Sequence, residues 1–101
     1  RERALVTAIR EELERLGVYG SLVRAIHVAP RKKPCVSLGE GTLVLAGRHP
    51  VVAEALEAAD AGDASAPARA RLLCAHIVGL CHREAGAIGT GGERGLMIDL
   101  L

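Results

Sequence analysis

The sequence predicts an α+β fold with an N-terminal helix, a three-stranded antiparallel β-meander, and then two to three C-terminal helices packed on the sheet. Three observations predict this fold. Apolar residues recur every three or four positions near the N-terminus, short apolar runs flank a glycine-rich turn in mid-chain, and Ala- and Leu-rich segments follow it. A chain of 101 residues suits one domain, so we expect a single small domain over residues 1–101.

The first helix is predicted over residues 2–16, because one stripe of its surface is apolar while charged residues occupy the rest. Gly17 follows this stretch, and glycine readily adopts the left-handed backbone conformation that ends a helix. The apolar stripe consists of Leu5, Ile9, Leu13 and Leu16, with Val6 beside it.

Three strands are predicted over residues 22–29, 35–38 and 42–46. Pro30 and Pro34 place a loop between the first two strands, because proline lacks the N–H that a central strand donates. A two-residue turn at Glu40-Gly41 joins the second strand to the third.

The register of the meander follows from collecting the large aliphatic side chains on one face of the sheet. This requirement gives four opposed pairs: Leu38 with Leu43, Val36 with Leu45, Val28 with Val36, and Ile26 with Leu38. The predicted apolar face therefore carries Ile26, Val28, Val36, Leu38, Leu43 and Leu45. The other face carries Ala25, His27, Cys35, Ser37 and Val44.

Helical segments return after residue 49. Pro50 suits the first position of a helix, where no N–H is needed, and a helix is predicted over residues 51–59. Residues 60–66 are polar or small, which predicts a linker.

A longer helix is predicted over residues 67–85, closed by the glycine-containing stretch 86–89. Thr90 and Glu93 have the spacing of a capping box, in which each side chain accepts a hydrogen bond from the other residue's backbone N–H. This spacing predicts a last short helix that runs to the C-terminus.

The three cysteines are odd in number and irregularly spaced, which predicts reduced thiols and a cytoplasmic protein. No apolar run approaches the roughly 18–20 residues of a membrane-spanning helix, so no membrane contact is predicted. The abundance of Ala, Gly and Arg and the apolar C-terminal run indicate one domain of a larger bacterial protein.

The net charge of +1 is unevenly distributed. Residues 21–49 carry five cations and one acidic residue, whereas residues 50–66 carry four acidic residues and no cation. Clustered cations can bind phosphate groups or an acidic partner surface. The candidate binding residues are Arg24, Arg31, Lys32, Lys33, Arg48 and His49.

Four potential zinc ligands lie on the long predicted helix: Cys74, His76, Cys81 and His82. Two ligands on one helix converge on an ion when they are three or four residues apart. None of the separations here is three or four. No metal site and no cofactor is therefore predicted, and these residues stay weak metal candidates.

Two further groups are candidates for chemistry. His27 opposes Ser37 in the predicted register, with Cys35 nearby, but no acidic residue is placed to orient the histidine, as a catalytic triad requires. The glycine-rich residues 86–95 follow a helix and lack the Gly-Lys-Ser/Thr ending of a phosphate-binding loop. Neither group predicts catalysis.

The function predicted best is a non-catalytic protein–protein interaction or regulatory domain, which could self-associate. Its basis is an apolar inventory that is hard to bury at once: Val23, Val44, Leu72 and the terminal Leu96, Met97, Ile98, Leu100 and Leu101. One alternative is a small ligand- or nucleic-acid-binding module that uses the basic loop at Arg31, Lys32 and Lys33. Another is a fragment of an enzyme whose catalytic residues lie elsewhere.

Overall fold

The computed structural model describes the backbone of residues 2–90 and 96–98 and the side chains of residues 2–83. Within these residues, helices and strands follow one another in the order α1, β1, β2, β3, α2, α3 and β4. Their bounds are α1 Arg3–Arg15, β1 Ala25–Ala29, β2 Val36–Gly39, β3 Thr42–Ala46, α2 Pro50–Ala61, α3 Ala66–Thr90 and β4 Leu96–Ile98.

The sheet is mixed, and its strand order is β1-β3-β2-β4. The predicted antiparallel meander is therefore wrong in one pairing, because β1 lies parallel to β3 and does not pair with β2. A tight antiparallel hairpin joins neighbouring strands through about two to five residues. Here residues 30–35 instead carry the chain across the end of β3, where the Ala46 N–H donates to the Cys35 carbonyl.

The hairpin of β2 and β3 confirms the prediction. Leu38 lies opposite Leu43, and Val36 lies opposite Leu45. Glu40 and Gly41 form the two-residue turn, with φ angles of 52° and 81°. Positive φ at both positions is the mark of the type I′ turn, whose twist matches that of the strands it joins.

The predicted apolar face has the right residues, although two of its pairs are different. Ile26 lies opposite Leu43 and Val28 opposite Leu45, so neither pairs with β2. Side chains alternate between the faces of a strand whichever strand lies beside it. The same residues therefore share the apolar face whichever strand lies beside β1, whereas the cross-strand pairs depend on the neighbouring strand.

Three helices cover this apolar face and contact one another, while α1 also contacts β1 and α3 contacts β2. The side chains at the centre of the core are fully buried: Leu5, Ile9, Leu13, Val36, Leu38, Leu43, Leu45, Leu73, Ile77 and Leu80. Val23 was predicted to contribute to an exposed apolar surface, but it is fully buried. Leu72 was predicted to do the same, and 52% of its surface is exposed.

The C-terminal region corrects the predicted helix order. α3 continues to Thr90, so residues 86–89 do not close it. Residues 96–98 of the predicted last helix instead form β4, which pairs with β2 in an antiparallel ladder, and the rest of that predicted helix lies outside the described residues. Without β4, the buried strand β2 would be an unpaired sheet edge. No helix of the described residues is long and apolar enough to cross a membrane.

Candidate binding surface

Four exposed cations meet at the end of the sheet where the parallel strands β1 and β3 finish. We call Arg31, Lys32, Lys33 and Arg48 the basic surface. Backbone hydrogen bonds hold the two loops that carry it. Ala29 accepts bonds from the N–H groups of Arg31 at 2.9 Å and Gly47 at 2.8 Å, and Arg48 donates to the Arg31 carbonyl at 2.9 Å. The two loops therefore form one surface.

The charges of the basic surface have no acidic partner among the described residues. The ion pairs among the described residues lie elsewhere and join Arg15 to Glu12 at 2.6 Å and Arg69 to Glu54 at 3.0 Å. Arg31 instead donates from Nη2 to the hydroxyl oxygen of Ser37 at 3.1 Å, which is a neutral acceptor. No ion pair among residues 2–83 therefore neutralises the positive charge at this end of the sheet.

His49 belongs to the framework of the site rather than to its surface. Its side chain is 3% exposed, and its Nδ1 accepts a hydrogen bond of 3.2 Å from the Val51 N–H. His49 is therefore the N-cap of α2. Pro50 is the first helical residue, as predicted. The N-terminus of a helix carries a partial positive charge, so α2 adds to the field of the basic surface.

Arg24 lies at the opposite end of the sheet. Its Nη2 donates to the Glu40 carbonyl at 2.7 Å, and its backbone N–H donates to the Gly41 carbonyl at 2.7 Å. At about 3.3 Å per residue of strand, Arg24 is roughly 20 Å from Arg31. The structure does not bring Arg24 together with the other predicted binding residues.

An open cavity of about 370 Å³ adjoins Arg48. Its walls are mostly apolar and include Val28, Pro30 and Leu56, with Glu2 on the rim. Gly47 also lines the cavity, and a Cβ atom at this position would lie 2.9 Å from Cγ1 of Val28. No sequence pattern indicated this cavity, because its walls come from the residue before α1, from β1, from α2 and from two loops.

An acidic surface lies towards the other end of α2. It consists of the exposed residues Glu54, Glu57, Asp60 and Asp63. Arg69 reaches Glu54 and also donates from Nε to the Ser65 hydroxyl. The Asp63 carboxylate accepts a hydrogen bond of 2.8 Å from the Ser65 N–H, and this bond lowers the pKa of Asp63. The Asp63 carboxyl group is therefore ionised at neutral pH.

The weak metal candidates are divided between the two sides of α3. Cys74 and Cys81 are each 1% exposed and belong to the core, whereas His82 is exposed and His76 is half-buried. The described residues contain no group of three or more His, Cys, Asp or Glu side chains that could hold a metal ion. Burial raises the pKa of the Cys74 thiol to about 11, so this sulfur is not a thiolate nucleophile at neutral pH.

The predicted neighbours His27, Cys35 and Ser37 do not form a catalytic group. His27 and Ser37 both lie opposite Val44, on either side of β3, so two strand spacings of about 4.8 Å each separate them. Cys35 is fully buried, unlike the exposed His27. In the glycine-rich stretch, residues 86–90 are helical, and residues 91–95 lie outside the described residues.

Comparisons of this chain with protein-family models, with curated proteins and with solved structures give no match.

Proposed function

We propose that this chain is a non-catalytic interaction domain that binds an acidic surface of a protein partner through its basic surface. The observation that carries the proposal is the convergence of Arg31, Lys32, Lys33 and Arg48 at one end of the sheet, without an acidic partner among the described residues. Complementary charge of this kind guides association and fixes the orientation of a partner.

The surroundings of the basic surface also suit a protein partner. The cavity beside Arg48 is lined mostly by apolar residues, with Glu2 among them, and its apolar part can receive an apolar side chain next to a carboxylate that pairs with Arg48. Backbone hydrogen bonds hold the two loops together before binding, which lowers the backbone entropy that association costs. Among the described residues, the exposed large apolar side chains are Leu72, at 52% exposure, and Leu16, at 43%, which is not buried with the rest of the predicted apolar stripe of α1.

Nucleic acid is the second candidate ligand, because clustered cations beside a helix N-terminus also suit phosphate groups. Two features favour a protein instead. The sequence has no Phe or Trp and only Tyr19, so aromatic stacking on bases is nearly absent. The acidic surface on the same domain repels a long polyanion that extends beyond the four cations.

Fluorescence anisotropy with a labelled Glu- and Leu-rich peptide tests the proposal, with a DNA duplex and a single-stranded RNA as parallel probes. We expect the peptide to bind, and we expect Lys32→Glu with Lys33→Glu to weaken binding at least about tenfold. The matched control is Arg71→Glu with Arg83→Glu, which makes the same charge change on exposed residues of α3. The control should bind the peptide nearly as well as the wild type.

The nucleic-acid probes separate the two candidates. Contact with four phosphates gives a slope of about −3 to −4 in a plot of log affinity against log salt concentration. If DNA or RNA binds with such a slope and the peptide does not bind, the alternative function replaces the proposed one. Equal weakening by the control pair would show that net charge, and not the basic surface, governs binding.

A further inference from the structure

The charges around α2 oppose the stability of that helix. Acidic residues near the N-terminus and basic residues near the C-terminus stabilise a helix. The first turn of α2 has no acidic residue and its last turn has no basic one. Instead Arg48 lies just before the helix and Asp60 lies in its last turn. Sequences break such local rules chiefly at functional sites, which indicates that these charges meet another molecule.

The acidic residues also repel one another along the exposed side of α2. Glu54, Glu57 and Asp60 follow each other at spacings of three residues, and like charges at this spacing are neighbours on a helix. Arg69 neutralises Glu54. Among the described residues, no cation forms an ion pair with Glu57, Asp60 or Asp63.

The acidic and basic surfaces cannot neutralise each other within one chain. α2 has 12 residues and spans about 18 Å, with the basic surface before its first residue and Asp60 and Asp63 around its last. That distance exceeds the screening length of about 8 Å at physiological salt. Within the part of the chain whose side chains the structure describes, neither surface therefore meets the opposite charge of the other.

We propose that the partner of the basic surface is the acidic surface of a second copy of this chain. The inference rests on the binding role of the basic surface proposed above and names its partner. Each surface supplies the counter-charges that the other lacks, and the helix dipoles of successive α2 helices then point in the same direction, which is their favourable arrangement.

This contact joins different surfaces on the two copies, so it leaves one basic and one acidic surface unused in a dimer. Such head-to-tail contacts produce rings or open chains and do not stop at two copies. The assembly is therefore expected to grow with protein concentration and to dissociate with salt.

Sedimentation velocity of the whole chain and of two charge-reversed variants tests the inference. The basic-reversed variant carries Lys32→Glu and Lys33→Glu, and the acidic-reversed variant carries Glu57→Lys and Asp60→Lys; all four side chains are exposed in the wild type. The wild type should associate at about 0.01 M salt, where the screening length is about 30 Å. It should dissociate at about 0.15 M salt, where the screening length is only about 8 Å.

Each variant alone should be monomeric at low salt, because the two reversed charges cancel the two unchanged charges of the altered surface, and this surface then no longer attracts the other one. An equimolar mixture of the two variants should associate again, since the unaltered basic surface of one variant meets the unaltered acidic surface of the other. This recovery separates a contact between the two surfaces from a general effect of charge. Circular dichroism checks that each variant keeps its helical content. If a variant unfolds, neutral substitutions replace the reversals: Lys32→Gln with Lys33→Gln, and Glu57→Gln with Asp60→Asn. These neutral variants should weaken association less than the reversals do.

Other outcomes overturn the inference. A wild type that stays monomeric at low salt, yet still binds the Glu- and Leu-rich peptide, would remove self-association and leave the proposed function standing. Association that neither variant weakens would place the contact elsewhere, with the exposed Leu72 as the next surface to substitute. Loss of both self-association and peptide binding would remove the inference and the proposed function together.

Discussion

Gly47 lies so close to Val28 that a Cβ atom at position 47 would be 2.9 Å from Val28 Cγ1 and 3.2 Å from the Ala29 carbonyl oxygen. This close approach holds the chain as it passes from β3 to α2, directly before Arg48. The N–H of Gly47 donates to the same Ala29 carbonyl at 2.8 Å. A side chain at this position would push the β3–α2 loop away from β1.

We expect Gly47→Ala to lower the free energy of unfolding by about 1–3 kcal/mol, because overpacking forces the neighbouring atoms apart. The matched control is Gly79→Ala in α3, where a Cβ atom meets nothing within 4 Å. That substitution should raise the free energy of unfolding by about 0.5–1 kcal/mol, because alanine is the better helix former. Urea denaturation measures both values. Equal effects of the two substitutions would contradict the close approach at Gly47.

Two adjacent leucines test which side of α3 faces the core. Leu73 is fully buried and Leu72 is 52% exposed. Leu73→Ala should cost about 2–5 kcal/mol through lost burial and the cavity that remains, whereas Leu72→Ala should change stability by no more than about 0.5 kcal/mol. Thermal and urea unfolding provide the comparison. A larger cost for Leu72 would mean that α3 is rotated about its axis.

The Cys74 thiol makes stability depend on pH in the alkaline range. Burial raises its pKa from 9.0 to about 11, so the unfolded chain releases this proton at a lower pH than the folded protein does. The free energy of unfolding should therefore fall by an amount on the order of 2 kcal/mol as the pH rises from about 9 towards 11. Below about pH 9, the Cys74 thiol should not change the free energy of unfolding.

Urea denaturation across this pH range measures the effect, with Cys74→Val as the comparison, because valine fills a similar volume and has no proton to release. The fall with pH should be smaller in the variant. Identical pH profiles for the two proteins would show that Cys74 does not cause the effect.

Glu40 holds a positive φ of 52° in the β2–β3 turn. A side chain in this conformation costs roughly 1–2 kcal/mol that glycine avoids. Glu40→Gly should therefore raise the free energy of unfolding by about 1 kcal/mol, whereas Glu40→Ala, which also removes the carboxylate but keeps Cβ, should not raise it. A gain from alanine equal to the gain from glycine would assign the effect to the lost charge instead.

Local signals predicted the elements that depend on neighbouring residues. The spacing of Leu5, Ile9 and Leu13 predicted α1, Pro50 marked the start of α2, and Glu40-Gly41 fixed the register of the hairpin. The same period-two argument predicted the apolar face of the sheet. Each of these signals operates within a few residues, or across one tight turn, so a single sequence contains the required information.

Contacts between distant segments were not predicted. The six-residue loop before β2 is compatible with either neighbour for β1, and only packing of the whole sheet selects β3. The pairing of β4 with β2 joins residues about sixty positions apart, beyond the reach of a capping motif at Thr90. For the same reason, Arg24 and His49 were predicted to belong to the binding surface. In the structure, Arg24 lies at the other end of the sheet and His49 is buried.

Nuclear magnetic resonance of the uniformly labelled chain, titrated with the Glu- and Leu-rich peptide, tests the binding role of the basic surface most directly. We expect the changes in amide chemical shift to concentrate at residues 30–33 and 47–49 and to disappear in the variant that carries Lys32→Glu and Lys33→Glu. Shifts concentrated around His27 and Val44 on the open face of the sheet, or around Leu72 on α3, with residues 30–33 unchanged, would contradict it.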